Sequence, residues 1–155
     1  MGEERRAAPA RGDTVAVAAD HAGVALKAAV AKQLEALGYR VIDLGTNGPD
    51  SVDYPDFAGA VASAVAGARA QWGVLVCGSG VGMAMAANRN PAVRAVAAHS
   101  GLEARLARQH NDANVLALGA RLIGDEQARD CVQVFFSTAF EGGRHERRVA
   151  KLGGK

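Results

Sequence analysis

Residues 72–82 read WGVLVCGSGVG, from Trp72 through Cys77 to Gly82. The first half is a short apolar run, and the second places glycine at every other position. Met83 to Asn88 then continues with the composition of a helix. A buried strand running through a glycine-rich turn into a helix is the first half of a βαβ unit. The near-absence of polar residues in the strand means that both of its faces are covered, as in a parallel sheet.

Read outward, the same alternation repeats. Thr14–Ala19 and Arg40–Leu44 precede this unit as strands, each followed by a helical segment, Gly23–Leu37 and Asp56–Ala66. Gly38 stops the first helix. The loop from Gly45 to Pro55 is rich in Gly, Asn, Asp and Pro. After the unit come a strand Val93–Ala98, a helix Leu102–His110 and a strand Asn114–Leu118. A long helix Asp125–Phe140, a break at Gly142-Gly143 and a short helix Arg144–Leu152 complete the chain. The prediction is an α/β fold: a single Rossmann-like, flavodoxin-like doubly wound domain over residues 13–155 with a five-stranded parallel sheet. Residues 1–12, rich in Arg, Glu, Ala and Pro, read as a disordered N-terminal extension.

Composition narrows the function. The 155 residues carry a net charge of +2, too little to argue for nucleic acid. The N-terminus lacks the apolar core of a signal peptide, and no apolar run reaches the roughly 18 residues of a membrane span. With two cysteines and no sign of export, the expected setting is a reducing cytoplasm with free thiols. Cys131 lies mid-helix among Val132, Val134 and Phe135 and reads as a small core residue.

In open α/β sheets, ligands bind beyond the carboxyl ends of the strands where the strand order reverses. With an order of 2-1-3-4-5, the first strand, ending in Asp20-His21, faces the third, ending in Cys77-Gly78-Ser79. The CGSGVG turn offers backbone N–H groups to an anion, but its G-x-G-x-G spacing is neither the dinucleotide fingerprint nor a P-loop. Cys77 stands beside the positive end of a helix, which favours a thiolate; its alternative is a small buried apolar residue. His110 stands at a helix C-terminus, and His21 and His99 stand at strand ends, positions where a histidine is either a reactive group or a satisfied surface residue. Arg144 and Arg148 share a helix face at i, i+4 and suit a phosphate. Arg121, past the fifth strand, is a third cation; for all three the alternative is a solvated charge. No pair shows zinc-ligand spacing, so no metal is expected.

Taken in order, Asp20-His21-Ala22-Gly23, Asp43-Leu44-Gly45-Thr46, Asp53-Tyr54-Pro55, CGSGVG with Ala86-Ala87-Asn88, Arg108-Gln109-His110-Asn111-Asp112 and Gly142-Gly143-Arg144-His145 resemble the ribose-5-phosphate isomerase B and galactose-6-phosphate isomerase family. The resemblance runs from about Thr14 to Leu152. It implies a cofactor-free aldose–ketose isomerase acting on ribose 5-phosphate, in a homodimer or tetramer with shared active sites. By that pattern Cys77 is the base, and the Gly78, Gly80, Val81 and Gly82 backbone holds the enediolate oxygens. Ser79 assists proton movement, His110 opens the sugar ring and Asp20 orients hydroxyls. Asn111 contacts a hydroxyl, while His21, Arg144 and Arg148 grip the phosphate. The C-terminal helix, with its arginines, docks on the partner subunit. A second branch of the family uses a Glu where this chain has Met83. Other aldose phosphates, or a non-catalytic binding domain, are the alternatives.

Overall fold

The computed structural model describes residues 7–153. Its elements are β1 (Thr14–Ala19), α1 (Val24–Ala36), β2 (Arg40–Asp43), α2 (Tyr54–Ala66), β3 (Trp72–Cys77), α3 (Val81–Ala87), β4 (Ala95–Ala97), α4 (Gly101–Asn111), β5 (Val115–Gly119), α5 (Asp125–Phe135) and α6 (Arg144–Leu152). The five strands form one sheet, and every strand pair is parallel.

Successive side chains of a strand point to opposite faces, and here each face has its own core. Val15, Val17, Val74, Val76, Leu116 and Leu118 pack with Val30 and Leu34 of α1, Ala104 and Ala107 of α4, and Val132 and Phe135 of α5. Ala16, Ala18, Leu75, Cys77 and Ala117 pack with Ala58 and Val61 of α2 and Met83 and Ala87 of α3. The second face is built from small residues because α2 lies close to the sheet. A Cβ on Gly73 would stand 2.5 Å from Val61 Cγ1.

The strand order is β2-β1-β3-β5-β4, not the expected 2-1-3-4-5. The reason is physical. Every residue of β5 is buried, whereas all three of β4 are only half-buried, so β5 takes the interior position and β4 the edge. Asn88 caps that edge: its amide donates to the Ala95 carbonyl at 2.9 Å and accepts from the Ala95 N–H at 2.7 Å. The reversal of order still falls between β1 and β3.

Most element ends shift by one or two residues, and two differences are larger. α5 ends at Phe135 rather than Phe140, because the Ser137 and Thr138 hydroxyls donate back to the carbonyls of Gln133 and Val134 at 2.8 and 2.6 Å. Residues 7–12 are packed rather than disordered. Pro9 is buried, its carbonyl accepts the Tyr39 hydroxyl, and Gly12 N–H donates to Gly38 O at 2.9 Å. The rest of the expected extension, residues 1–6, lies outside the described residues.

Candidate active site

At the carboxyl ends of β1 and β3 lies a cleft of about 580 Å³, lined by Asp20, Tyr54, Cys77, Gly78, Ser79, Val81, Gly82, Met85, Arg121 and Leu122. Its floor is the β3–α3 turn. Cys77, 5% exposed, ends the strand, and its Sγ accepts the Gly80 N–H at 3.1 Å. Gly80 has φ +79, a left-handed conformation natural to glycine, and a Cβ there would crowd the backbone of Leu118 at 3.1 Å. Ser79 Oγ accepts the Val81 N–H at 3.2 Å, which fixes the hydroxyl beside the thiol.

Asp20 is nearly buried across the cleft, and one carboxylate oxygen accepts the Ala22 N–H at 2.9 Å. His21, half-buried, follows Asp20 in the chain. Its Nδ1 accepts the Val52 N–H at 3.3 Å, which leaves Nε2 to carry the proton in the neutral ring. Arg121 lies over Gly78, with its side chain about 3.5 Å from where a Cβ would stand. Met83 is fully buried below the cleft. Met85, 66% exposed, is the methionine that reaches the cleft.

Two further features, one in the cleft and one bracing the turn after β2, were not singled out as site features from sequence. Tyr54 packs its ring against Gly82, where a Cβ would meet it at 2.6 Å. Lys27 of α1 is buried, and its ammonium donates to Asp43 Oδ1, Thr46 O and Asn47 Oδ1, each at 2.7 Å. All three ammonium protons are thereby matched. Lys27 thus pins the turn after β2, whose Gly45 O and Thr46 N also bond to Ala19 at the end of β1.

His110 does not join this cleft within its own chain. Gly73 pairs with Val115 and Cys77 with Gly119; α4 ends just before β5 begins. His110 and Asn111 therefore stand near the opposite end of the sheet, about 13 Å away along the strands at roughly 3.3 Å per residue. α6 docks at that same far end. The His110 and His145 rings stack with centroids 4.4 Å apart and planes 15° apart. Glu141 Oε2 faces both imidazoles, 4.0 Å from His110 Nε2 and 3.8 Å from His145 Nε2. Burial pushes His145 below the ordinary imidazole value, and the nearby His110 and Arg144 push the same way. Glu141 opposes them, and Arg148 adds a smaller lowering. Arg144 lines a hollow with Glu141, Gly142 and His145, and Arg144, Arg148 and Asn111 are all exposed. His99 belongs to neither group, since it faces the exposed Glu103 at 3.3 Å.

The predicted residues therefore form two sets, one at each end of the sheet. In the first, a thiol, a hydroxyl, a carboxylate and a cation surround a polar cleft. In the second are imidazoles, an amide and two guanidinium groups. This is equipment for binding an anionic, hydroxyl-rich molecule and moving its protons: the class is that of a sugar-phosphate isomerase. Residues 15–152 match the family described as Ribose/Galactose Isomerase, and the chain belongs to that family. It is 44% identical to ribose-5-phosphate isomerase B of Escherichia coli over 138 residues, 89% of this chain and 93% of that one. Among solved structures, a ribose 5-phosphate isomerase from Thermotoga maritima aligns with a TM-score of 0.89 and 46% identity, covering 92% of this chain and 99% of the other. Ribose-5-phosphate isomerase B from Mycoplasma genitalium with bound ribulose 5-phosphate aligns at 0.88 and 41%, covering 94% and 97%.

Proposed function

We propose that this chain interconverts D-ribose 5-phosphate and D-ribulose 5-phosphate through a cis-enediolate, with Cys77 as the base, in a cytoplasmic homodimer or tetramer whose active sites are shared. His110 of a neighbouring subunit takes the proton of the sugar's O1 hydroxyl and returns one to the ring oxygen, opening the furanose to the aldehyde. The Cys77 thiolate removes the proton from C2. The resulting enediolate is held by the backbone from Gly78 to Gly82, an oxyanion role. Ser79 relays the proton between O2 and O1, and the Cys77 thiol delivers its proton to C1 to complete the ketose. Asp20 and Asn111 orient hydroxyls. His21 and Arg121 on one side, with Arg144 and Arg148 from the other subunit, hold the phosphate.

The observation that carries this reading is the division of one complete set of groups between the two ends of a single chain. Neither end alone has a base, a ring-opening acid and a phosphate clamp. A two-fold dimer that brings one chain's far end to the other's cleft completes two sites at once. Val81, Tyr54, Met85 and Leu122 leave an exposed apolar rim around the cleft, which suits a protein neighbour.

The test is turnover of ribose 5-phosphate by purified protein in EDTA, beside a panel of other aldose phosphates. Cys77→Ser is expected to lower the rate by about 100-fold or more while fold and substrate binding persist. A variant that keeps more than about a tenth of the rate removes Cys77 from the role of base. No turnover of any aldose phosphate favours a binding domain.

A further inference from the structure

We propose that His110, Glu141 and His145 form a site for one divalent transition-metal ion of the zinc type, and that its occupancy switches the enzyme off. One donor atom from each residue lies within 4.8 Å of the other two. Glu141 Oε2 is the shared vertex, 4.0 and 3.8 Å from the two Nε2 atoms. Donors around a tetrahedral zinc, bound at about 2.0–2.2 Å, stand roughly 3.3–3.5 Å from one another. Each gap to Glu141 must therefore close by only about half an ångström, and Glu141, 51% exposed, has room to swing.

The backbone holds the three residues in place. Glu141 N–H donates to the carbonyl of Gln109, the residue before His110, at 3.0 Å, and His145 N–H donates to Gly142 O at 3.1 Å. Both Nε2 atoms stand within 4.0 Å of the carboxylate, and because an imidazole lone pair lies in the ring plane, the half-exposed His110 ring has to rotate out of the stack to turn its Nε2 onto the same ion as His145. Two imidazoles and one carboxylate favour zinc, cobalt, nickel or copper over magnesium or calcium, and three protein ligands leave a coordination position open. Spacing could not reveal the site, because His110 is brought to the other two by the docking of α6 on α4.

The consequence rests on the reading of His110 as the ring-opening group. A metal on Nε2 occupies the lone pair that takes and returns the sugar proton, so bound metal blocks furanose substrates. It has less effect on a four-carbon aldose phosphate that cannot cyclise.

The experiment has two arms. Equilibrium dialysis with Zn²⁺, and Co²⁺ absorption spectra, are run on wild type, Glu141→Gln, His110→Gln and Cys77→Ser. About one ion per chain is expected, with affinity lowered about tenfold or more in Glu141→Gln and His110→Gln and kept in Cys77→Ser. Glu141 is at the surface, so its variant folds; circular dichroism checks the others. No binding, or binding that needs Cys77 and not Glu141, overturns the site. In the second arm Zn²⁺ is added to the isomerase assay, and EDTA should restore furanose turnover. Binding without that inhibition overturns the switch, whereas an absence of turnover in metal-free protein counts against the isomerase reading and leaves the binding arm intact.

Discussion

Cys77 and Cys131 are both buried, one at the end of β3 before the glycine turn and one inside α5. Cys131 sits inside α5, where burial first, then Asp130 and Glu103, push its thiol from an ordinary 9.0 up to about 11. Between those values the folded chain keeps a proton that the unfolded chain has lost, so stability falls as pH rises through that window. Tyr39, raised chiefly by burial, acts in the same direction. Melting temperature should therefore decline above about pH 9, and Cys131→Val should flatten the decline; an unchanged slope would remove Cys131 as a cause. The contrast between the thiols was legible in sequence, because one has apolar helical neighbours and the other a glycine turn. Lys27 was not legible. It reads as one more helix lysine, and its three acceptors come from residues 43–47, which only the fold brings near. Lys27→Met would leave Asp43 without its cation and the turn without its pin. Asp43 is 41% exposed and stays hydrated, so the cost comes from the acceptors left without a donor and should be about 1–3 kcal/mol in denaturant unfolding; a loss within experimental error would mean that water replaces the ammonium.

Among the elements, most of the alternation of strand and helix could be read directly, since fully apolar strands and glycine stops carry it. The position of β4 could not. Its residues resemble those of a buried strand, and only its half-exposure next to a fully buried β5 decides which is the edge. The Arg108–Asp112 motif shows a second limit. Arg108 and Asp112 are buried and bond to each other at 2.9 Å. Arg108 also stacks over the Trp72 ring at 4.8 Å, and Asp112 bonds to Arg94 at 3.2 Å. These two build the end of α4, while His110 and Asn111 point outward, a division of labour that a linear motif does not display. The β3–α3 turn depends on backbone contact with the end of β5. A Cβ on Gly119 would lie 2.7 Å from the Ser79 carbonyl, and backbone cannot swing aside. Gly119→Ala should cost roughly 1–3 kcal/mol and displace Ser79 and Cys77, lowering kcat. Gly82→Ala meets only the movable Tyr54 ring, so it should fold normally and change KM. Equal stability losses in thermal melts would refute this difference.

For the molecule as a whole, the separation of His110 from Cys77 follows from topology. A helix that returns from the carboxyl edge of a parallel sheet must end at the amino edge. No side-chain motion carries His110, Arg144 and Arg148 across the sheet to their own chain's cleft. A site that needs both ends therefore needs two chains, and defects at the two ends must complement. Chains carrying Cys77→Ser retain intact arginines, and chains carrying Arg144→Ala with Arg148→Ala retain the thiol. Each homodimer has the same defect in both sites and should be nearly inactive. In the mixed dimer, one site collects both defects and the other collects none. Random reassociation makes about half the dimers mixed, each with one sound site of two, so activity should recover to about a quarter of wild type. Co-expression with two affinity tags isolates the mixed species, which should reach about half. A purified mixed dimer that stays inactive would mean that the arginines serve their own chain, and the division of the site between subunits would be wrong.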